Sequence, residues 1–485
     1  MQRFYRLMAV LCLLGGLACE NKKTVSPPTS IGPVPDAKQM EWHKMEKNAF
    51  IHFTINTFTD KEWGYGDESP ELFNPTDLNV DQWVKVLKET GFKGVILTCK
   101  HHDGFCLWPS KYTEHTVAKS PYKNGKGDIA KEVSEACEKY GLKFGVYLSP
   151  WDRNRADYGD STYVTYYRNQ LKELFTSYGD VFEMWFDGAN GGDGFYGGAD
   201  EVRRIERESY YHWPQTLDLV RSIQPQVLFF SDGGPDLRWG GNEEARAGLT
   251  NWNTISTDTL YAGKSGIMDL LNSGSENGVN WVPLEANTSI RPGWFYHAKE
   301  DSLVKTPEQL MDIYLTSVGR GSTLLLNIPP DKRGHFHEND IDALKGWHAL
   351  QEKEFANNLI KNTKVTASSV RGNAEQYDAR NAVDENYDTY WATDDNIQTG
   401  SLEVEFSGER TIKYVLLQEY IPLGQRIKDF SIDAWINGGW KEIAKGTTIG
   451  YKRILKLDAP VKTDKLKINI LDSKACPVIN NLEVY

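Results

Sequence analysis

Short apolar runs alternate with amphipathic stretches over roughly the first two thirds of the chain. "AFIHFTI" at 49–55, "KGVILTC" at 93–99, "KFGVYLS" at 143–149, "VFEMWFD" at 181–187, "QVLFFSD" at 226–232 and "STLLLNIPP" at 322–330 are apolar on both faces, as buried strands are. Between them the period changes. In "NVDQWVKVLKETG", Val80, Trp83, Val84 and Leu87 share one helical face. "DIAKEVSEACEKYG" opens on Asp128 as an N-cap and ends at Gly141. Further helices are expected in "TYVTYYRNQLKELFTSYG", "WPQTLDLVRSIQP", "TPEQLMDIYLTSVGRG" and "NDIDALKGWHALQEKEFANNL", with "WVPLEANTS" as one more segment of the series. Strand–helix alternation of this length predicts an α/β fold, a closed parallel (β/α)8 barrel of the TIM type over residues 39–355.

From Thr363 the pattern becomes strict alternation. Leu402, Val404 and Phe406 alternate with polar neighbours, as do Leu466, Ile468 and Ile470. Turn sequences such as "NGG" and "SGE" punctuate it, which predicts an all-β sandwich over 356–485. The N-terminus differs from both. Two arginines precede an apolar run from Leu7 to Leu17 that is too short to span a bilayer and has the layout of an export signal, residues 1–18. "GLAC" resembles a bacterial lipobox, which implies lipidation of Cys19; an ordinary cleaved signal is the alternative. The Pro/Ser/Thr-rich stretch that follows, 19–38, reads as a tether. The chain is thus expected to be exported and anchored by lipid in a bacterial cell envelope.

Composition narrows the function. The chain has 485 residues, enough for two or three domains, with 40% hydrophobic residues and a formal net charge of -12. That charge, without a long basic run, argues against a nucleic-acid partner. Tryptophan (15) and tyrosine (24) are abundant, as suits sugar-stacking surfaces, although large cores use such rings too. Cys99, Cys106, Cys137 and Cys476 show neither metal-ligand spacing nor a dense disulfide pattern and read as core thiols.

In a barrel, chemistry gathers at the C-terminal strand ends. Those ends carry His52, then His101, His102 and Asp103, then Tyr147 and Trp151, then Asp187, Asp232, Arg238, Glu243, Glu285 and Trp294. Asp187 closes a six-residue apolar run and is followed at once by glycine, so its carboxylate is carried to a spot kept clear of side chains; capping the turn is the simpler alternative. Glu243 in a glycine-flanked loop is either functional or a solvated acid. His101 and His102 are adjacent and point opposite ways along a strand, and no His-x-His pair accompanies His52, so metal ligation is set aside.

At these residues the sequence resembles a known family. "FIHFTINTFTDKEW", "TCKHHDGFCLW", "MWFDGANG", "SDGGPDLRWGGNE" and "GSTLLLNIPP" are similar, in that order, to α-L-fucosidases of glycoside hydrolase family 29 across roughly residues 40–350. "RWGGNE" and "RPGWFYH" resemble the subgroup acting on α-1,3/1,4-linked fucose of branched glycans. The resemblance implies exo-acting, retaining hydrolysis without a cofactor, with Asp187 as nucleophile and Glu243 as acid/base. It assigns His52, His101 and His102 to the sugar hydroxyls, Glu62 and Trp63 to holding the ring, and Trp185 and Trp294 to the methyl side. Arg238 is expected to orient Glu243, and Glu285 to touch the branch sugar. The stretch between Gly188 and Glu243 is longer than usual in the subgroup, which leaves Glu244 and Glu285 as alternative acids. A non-catalytic glycan-binding surface protein and a barrel glycosidase for another sugar are the competing functions. "NAVDENYDTYWAT" and the closing "INNLEVY" resemble discoidin-like (coagulation factor 5/8 type) carbohydrate-binding domains. In such domains the positions of Asp384, Thr389 and Glu483 surround a structural calcium.

Overall fold

In the computed structural model, residues 25–361 and 363–485 are described; the expected signal and Cys19 lie outside them. Eight parallel strands close into a barrel: β1 Lys47–Ile51, β2 Gly94–Lys100, β3 Lys143–Leu148, β4 Val181–Trp185, β5 Leu228–Ser231, β6 Leu237–Trp239, β7 Leu284–Ser289 and β8 Thr323–Asn327. Neighbours follow chain order all round, and β8 closes on β1 through pairs such as Lys47 with Leu324 and Phe50 with Asn327. Helices α1 Ala37–Met45, α2 Val80–Glu89, α3 Ile129–Tyr140, α4 Ser161–Ser177, α5 Trp213–Ile223, α6 Pro307–Thr316 and α7 Glu338–Glu354 accompany it. The residues expected to face inward from α2, Val80, Trp83, Val84 and Leu87, are all buried. Asp128 caps α3 by accepting from the Lys131 N–H at 3.0 Å, and Gly141 ends that helix in the left-handed region.

Two features were not expected. β6 lies within the "DLRWGG" stretch read as a loop, and the connection from 232 to 236 joins it to β5 without a helix. The expected strands are also shorter than their apolar runs: β1 ends at Ile51, not residue 55, because Thr54 caps a short helix by accepting from the Asn56 N–H.

The second domain is antiparallel and all-β. Its strands run β9 Lys364–Ala367, β10 Trp391–Ala392, β11 Gly400–Glu419, β12 Ile427–Ile436, β13 Gly439–Gly446, β14 Arg453–Ser473 and β15 Val478–Val484. Leu402, Val404, Phe406, Leu466, Ile468 and Ile470 all enter its own apolar core. The three residues named for a calcium site make hydrogen bonds within the domain. Asp384 accepts from the Thr389 hydroxyl at 2.7 Å, whereas Glu483 accepts from Asn481 at 2.9 Å and from the Tyr485 hydroxyl. Among the described residues no group of three His, Cys, Asp or Glu side chains could hold a metal ion.

The tether is a strap where it is described. The carbonyls of Ser26 and Thr29 each accept from an arginine of the all-β domain, Arg371 and Arg426, both at 2.7 Å, and the Ile31 N–H donates to Leu423 at 3.1 Å. Capped by Asp36, α1 then begins inside the stretch read as linker.

Candidate active site

Alternate residues of β4 face the barrel axis, and the period carries past the strand end, so Glu183, Trp185 and Asp187 rise one above another. Asp187 therefore emerges at the C-terminal mouth. Its Oδ1 accepts from the Ala189 N–H at 2.7 Å and its Oδ2 from the Tyr147 hydroxyl at 2.9 Å. Burial first, then the charge of Asp187, holds the Tyr147 phenol well above its ordinary range, so it remains a neutral donor. Gly188 answers a packing demand. A Cβ there would lie 2.4 Å from Oδ2 of Asp232, the third carboxyl at the mouth.

Glu243 reaches the same cavity from the loop after β6. Gly240 and Arg246, at the base of that loop, are clamped together by the side-chain amides of Asn242 and Asn272, each of which donates to both carbonyls. The loop is thus a pinned projection. At its tip the Glu243 carboxyl accepts from the Trp294 indole at 3.3 Å. Partial burial, reinforced by the charges of Asp187 and Glu62, raises it above the ordinary glutamate value of 4.5. The two acids meet one cavity of about 220 Å³, smaller than the roughly 300–1,000 Å³ of sites for drug-sized ligands and suited to one sugar ring.

His52, His101, His102, Trp63, Trp185 and Trp294 line that cavity with Asp187 and Glu243. Their hydrogen bonds fix which ring nitrogens carry protons. The Asn327 amide donates to the Trp294 carbonyl at 2.8 Å, so its oxygen must accept from Nδ1–H of His52, also at 2.8 Å. The Ser149 hydroxyl donates to the Trp151 carbonyl at 2.6 Å and therefore accepts from Nδ1–H of His102 at 2.7 Å. Both rings keep a bare Nε2. Burial pushes both imidazoles down to about 4, so they stay neutral, and that of His101 falls well below 6.5. The result is a set of neutral acceptors, matched to a polyol that brings its own O–H donors. Trp63 is 52% exposed and forms the rim, edge-on to His102 at 5.1 Å. Trp185, in contrast, is buried flat against Phe230 at 4.2 Å.

Three of the expected site residues make further contacts. The Glu62 carboxylate accepts from the backbone N–H groups of Trp294 (2.8 Å) and Phe295 (3.1 Å) and bonds His297 at 2.7 Å, while its side chain stays 39% exposed. It positions Trp294. Arg238 has no exposure, and its guanidinium donates to the carbonyls of Leu271 and Trp252, both at 2.8 Å, and of Val282; it braces the segment after β6 and does not reach Glu243. Glu285 is also fully enclosed, beneath the cavity, accepting from the Trp185 indole at 2.9 Å; it meets no substrate and is no alternative acid. Glu244 turns outward, pairing with Arg246 at 3.3 Å.

Sequence reasoning passed over Trp239, Asn287 and Asn327, and noted Tyr147 and Asp232 without assigning them. Tyr147, Asp232, Trp239 and Asn287 line the cavity. The signal for the asparagines is present: polar residues at alternate positions of apolar strands, "LEANTS" and "TLLLN", point inward at the strand tops. A larger cavity, about 930 Å³, opens at the opposite end of the barrel among residues such as Lys143, Val181 and Leu228 that begin strands. It holds neither histidines nor a facing acid pair of this kind.

Two acids converging on a sugar-sized hollow at a barrel mouth define a carboxylate-dependent glycosidase. Comparison with known proteins narrows this. The α-L-fucosidase family model matches residues 29–353 and that of the F5/8 type C domain residues 364–482. The chain belongs to the α-L-fucosidase family, glycoside hydrolase family 29, and is a glycoside hydrolase. It is 39% identical to alpha-L-fucosidase 1 of Arabidopsis thaliana, over 94% of this chain and 88% of that one. A family 29 member from an unknown rumen bacterium superposes with a TM-score of 0.84 at 43% identity, over 95% of this chain and 78% of that one. A Ruminococcus gnavus family 29 fucosidase in complex with fucose gives 0.84 at 33% identity, over 95% and 96%.

Proposed function

We propose that the chain removes terminal α-1,3/1,4-linked L-fucose from glycans by double displacement, with Asp187 as nucleophile and Glu243 as acid/base. The carrying observation is that these two carboxyls share one single-sugar cavity but have unlike surroundings. Asp187 is held in place by two donors, Tyr147 O–H and Ala189 N–H. Glu243 is held above the ordinary range by burial and by the negative charge of Asp187, which suits a group that must start protonated. Asp187 attacks C1 while Glu243 gives its proton to the leaving oxygen; Glu243 then takes a proton from water, which releases fucose with retained configuration. No step requires a cofactor.

Glu243 and Trp294 also wall a second cleft of about 620 Å³, which continues over Arg246, Ser289 and Gln309. The proton donor lies on the leaving-group side, so the rest of the glycan is placed in this cleft, and linkage preference is set there. We read the fucosylated glycan as extracellular and the enzyme as exported and held by lipid at Cys19. Among the described residues no helix is long and apolar enough to cross a membrane.

The test is incubation with an aryl α-L-fucoside and a panel of α-1,2-, α-1,3-, α-1,4- and α-1,6-fucosylated oligosaccharides, beside Asp187→Ala. Fucose release from the 1,3/1,4 compounds, abolished in the variant while its thermal unfolding is unchanged, supports the reading. Binding without release at any pH makes the chain a glycan-binding protein instead.

A further inference from the structure

Below the sugar cavity the barrel holds a second pair of acids that the reaction does not use. Glu183 of β4 and Glu285 of β7 both have no exposed surface. One oxygen of each is occupied: Oε2 of Glu183 accepts from the Trp42 indole at 3.0 Å, and Oε1 of Glu285 from the Trp185 indole at 2.9 Å. The other two oxygens, Oε1 of Glu183 and Oε2 of Glu285, are buried and have no donor among the described residues, and each carboxyl acts on the other. Carboxylate anions are acceptors only, so a single proton held between the pair would satisfy both orphan oxygens.

We propose that Glu183 and Glu285 are positioning residues: through one shared proton they join Trp42, at the N-terminal end of the barrel, to Trp185, in the wall of the sugar cavity. Loss of the proton places two anions face to face in an apolar interior, and the cheapest relief is separation. Separation pulls on the Trp185 indole. That ring is stacked on Phe230 at 4.2 Å and packs on Tyr147 at 5.4 Å, and Tyr147 donates to Asp187. The cavity wall and the donor to Asp187 therefore depend on a proton that never reaches the sugar.

The surroundings agree. Burial is the largest influence on both carboxyls; it raises Glu285 to about 7 and Glu183 well above the ordinary glutamate value, so the pair holds a proton more tightly than free carboxyls do. Among the described residues the only titratable group acting on each is the other, and no cation offsets them; α1 contributes the neutral Trp42, which lowers Glu183, and β4 the neutral Trp185, which lowers Glu285.

The readout rests on the cavity being a fucose site, so binding rather than turnover is measured. Calorimetric titration of L-fucose into the full chain is run at pH 6 and pH 9, with Glu183→Gln and Glu285→Gln alongside. An amide donates to the remaining carboxylate without the shared proton. The native chain is expected to lose affinity roughly tenfold between the two pH values, and each glutamine variant roughly twofold or less. Trp42→Phe, remote from the sugar, removes the N–H that lowers Glu183 and is expected to move the alkaline midpoint upward. Equal losses in native and glutamine chains, or an unmoved midpoint in Trp42→Phe if the glutamine variants do not fold, overturn the proposal. Absence of fucose binding at every pH counts instead against the sugar site, and pH-dependent melting of native against variant chains then decides the pair.

Discussion

Asp187 and Glu285 look alike in sequence, each an acid at the C-terminal side of an apolar run, yet they do opposite things. The difference is height in the barrel. Asp187 follows the last paired residue of β4, whereas Glu285 sits low in β7, beside Trp239 and Thr323 on the neighbouring strands. A carboxyl past the strand end meets solvent and substrate; one inside a strand, as Glu285 is in β7, meets the barrel interior. Asp187 was legible because glycine follows it, whereas the depth of Glu285 depends on the stagger of neighbouring strands. Glu243→Ala is expected to slow hydrolysis of oligosaccharides by about 10²–10⁴-fold, and azide to restore turnover of a substrate with a good leaving group. Failure of azide at this position would remove Glu243 from its role. The proton on Glu243 must be present for the first step, so kcat/KM is expected to fall as pH rises through its raised value, above 4.5, and Glu243→Gln to abolish that limb. Asn327→Leu strips partners from both His52 and the Trp294 carbonyl. At about 1–3 kcal/mol for an unpaired buried group, KM for an aryl fucoside should rise about fivefold or more with a smaller change in kcat.

Among elements, the long apolar strands and amphipathic helices declared themselves because their periods differ. β6 did not. Three residues, Leu237–Trp239, are too few for a period, and no helix precedes them to mark a unit. The Glu243 loop shows in sequence only as a glycine-flanked stretch, and the clamp by Asn242 and Asn272 could not be foreseen from spacing alone. Arg238 was misassigned for the same reason: its partners are backbone carbonyls, which carry no signature in sequence. Arg238→Met leaves several of those carbonyls without a donor and is expected to lower stability by about 3 kcal/mol or more, read in a denaturant melt. Gly188→Ala is expected to displace Asp232, since the new Cβ would lie 2.4 Å from its Oδ2, and to cut activity with little change in melting temperature.

At the scale of the molecule, the all-β domain braces the segment between β6 and β7. The Gln425 amide accepts from the Asn253 N–H at 2.8 Å and donates to the Asn251 carbonyl at 2.9 Å, and Arg453 donates to Leu249 at 2.9 Å. This is the same segment that begins with the Glu243 loop, so the all-β domain packs on the chain that carries that loop. Gln425→Ala is expected to cost about 1–3 kcal/mol, detected as an earlier thermal transition. Domain order was readable from the change of period near residue 360, but not the docking, because contacts between domains obey no local pattern. What both domains hold in place is one pair of acids, and covalent trapping tests it most directly. After inactivation with 2-deoxy-2-fluoro-fucosyl fluoride and proteolysis, mass spectrometry should find the fluorosugar on the peptide "VFEMWFDGANGG", at Asp187. The sugar on Asp232 or Glu243, or turnover without any adduct, would contradict the account.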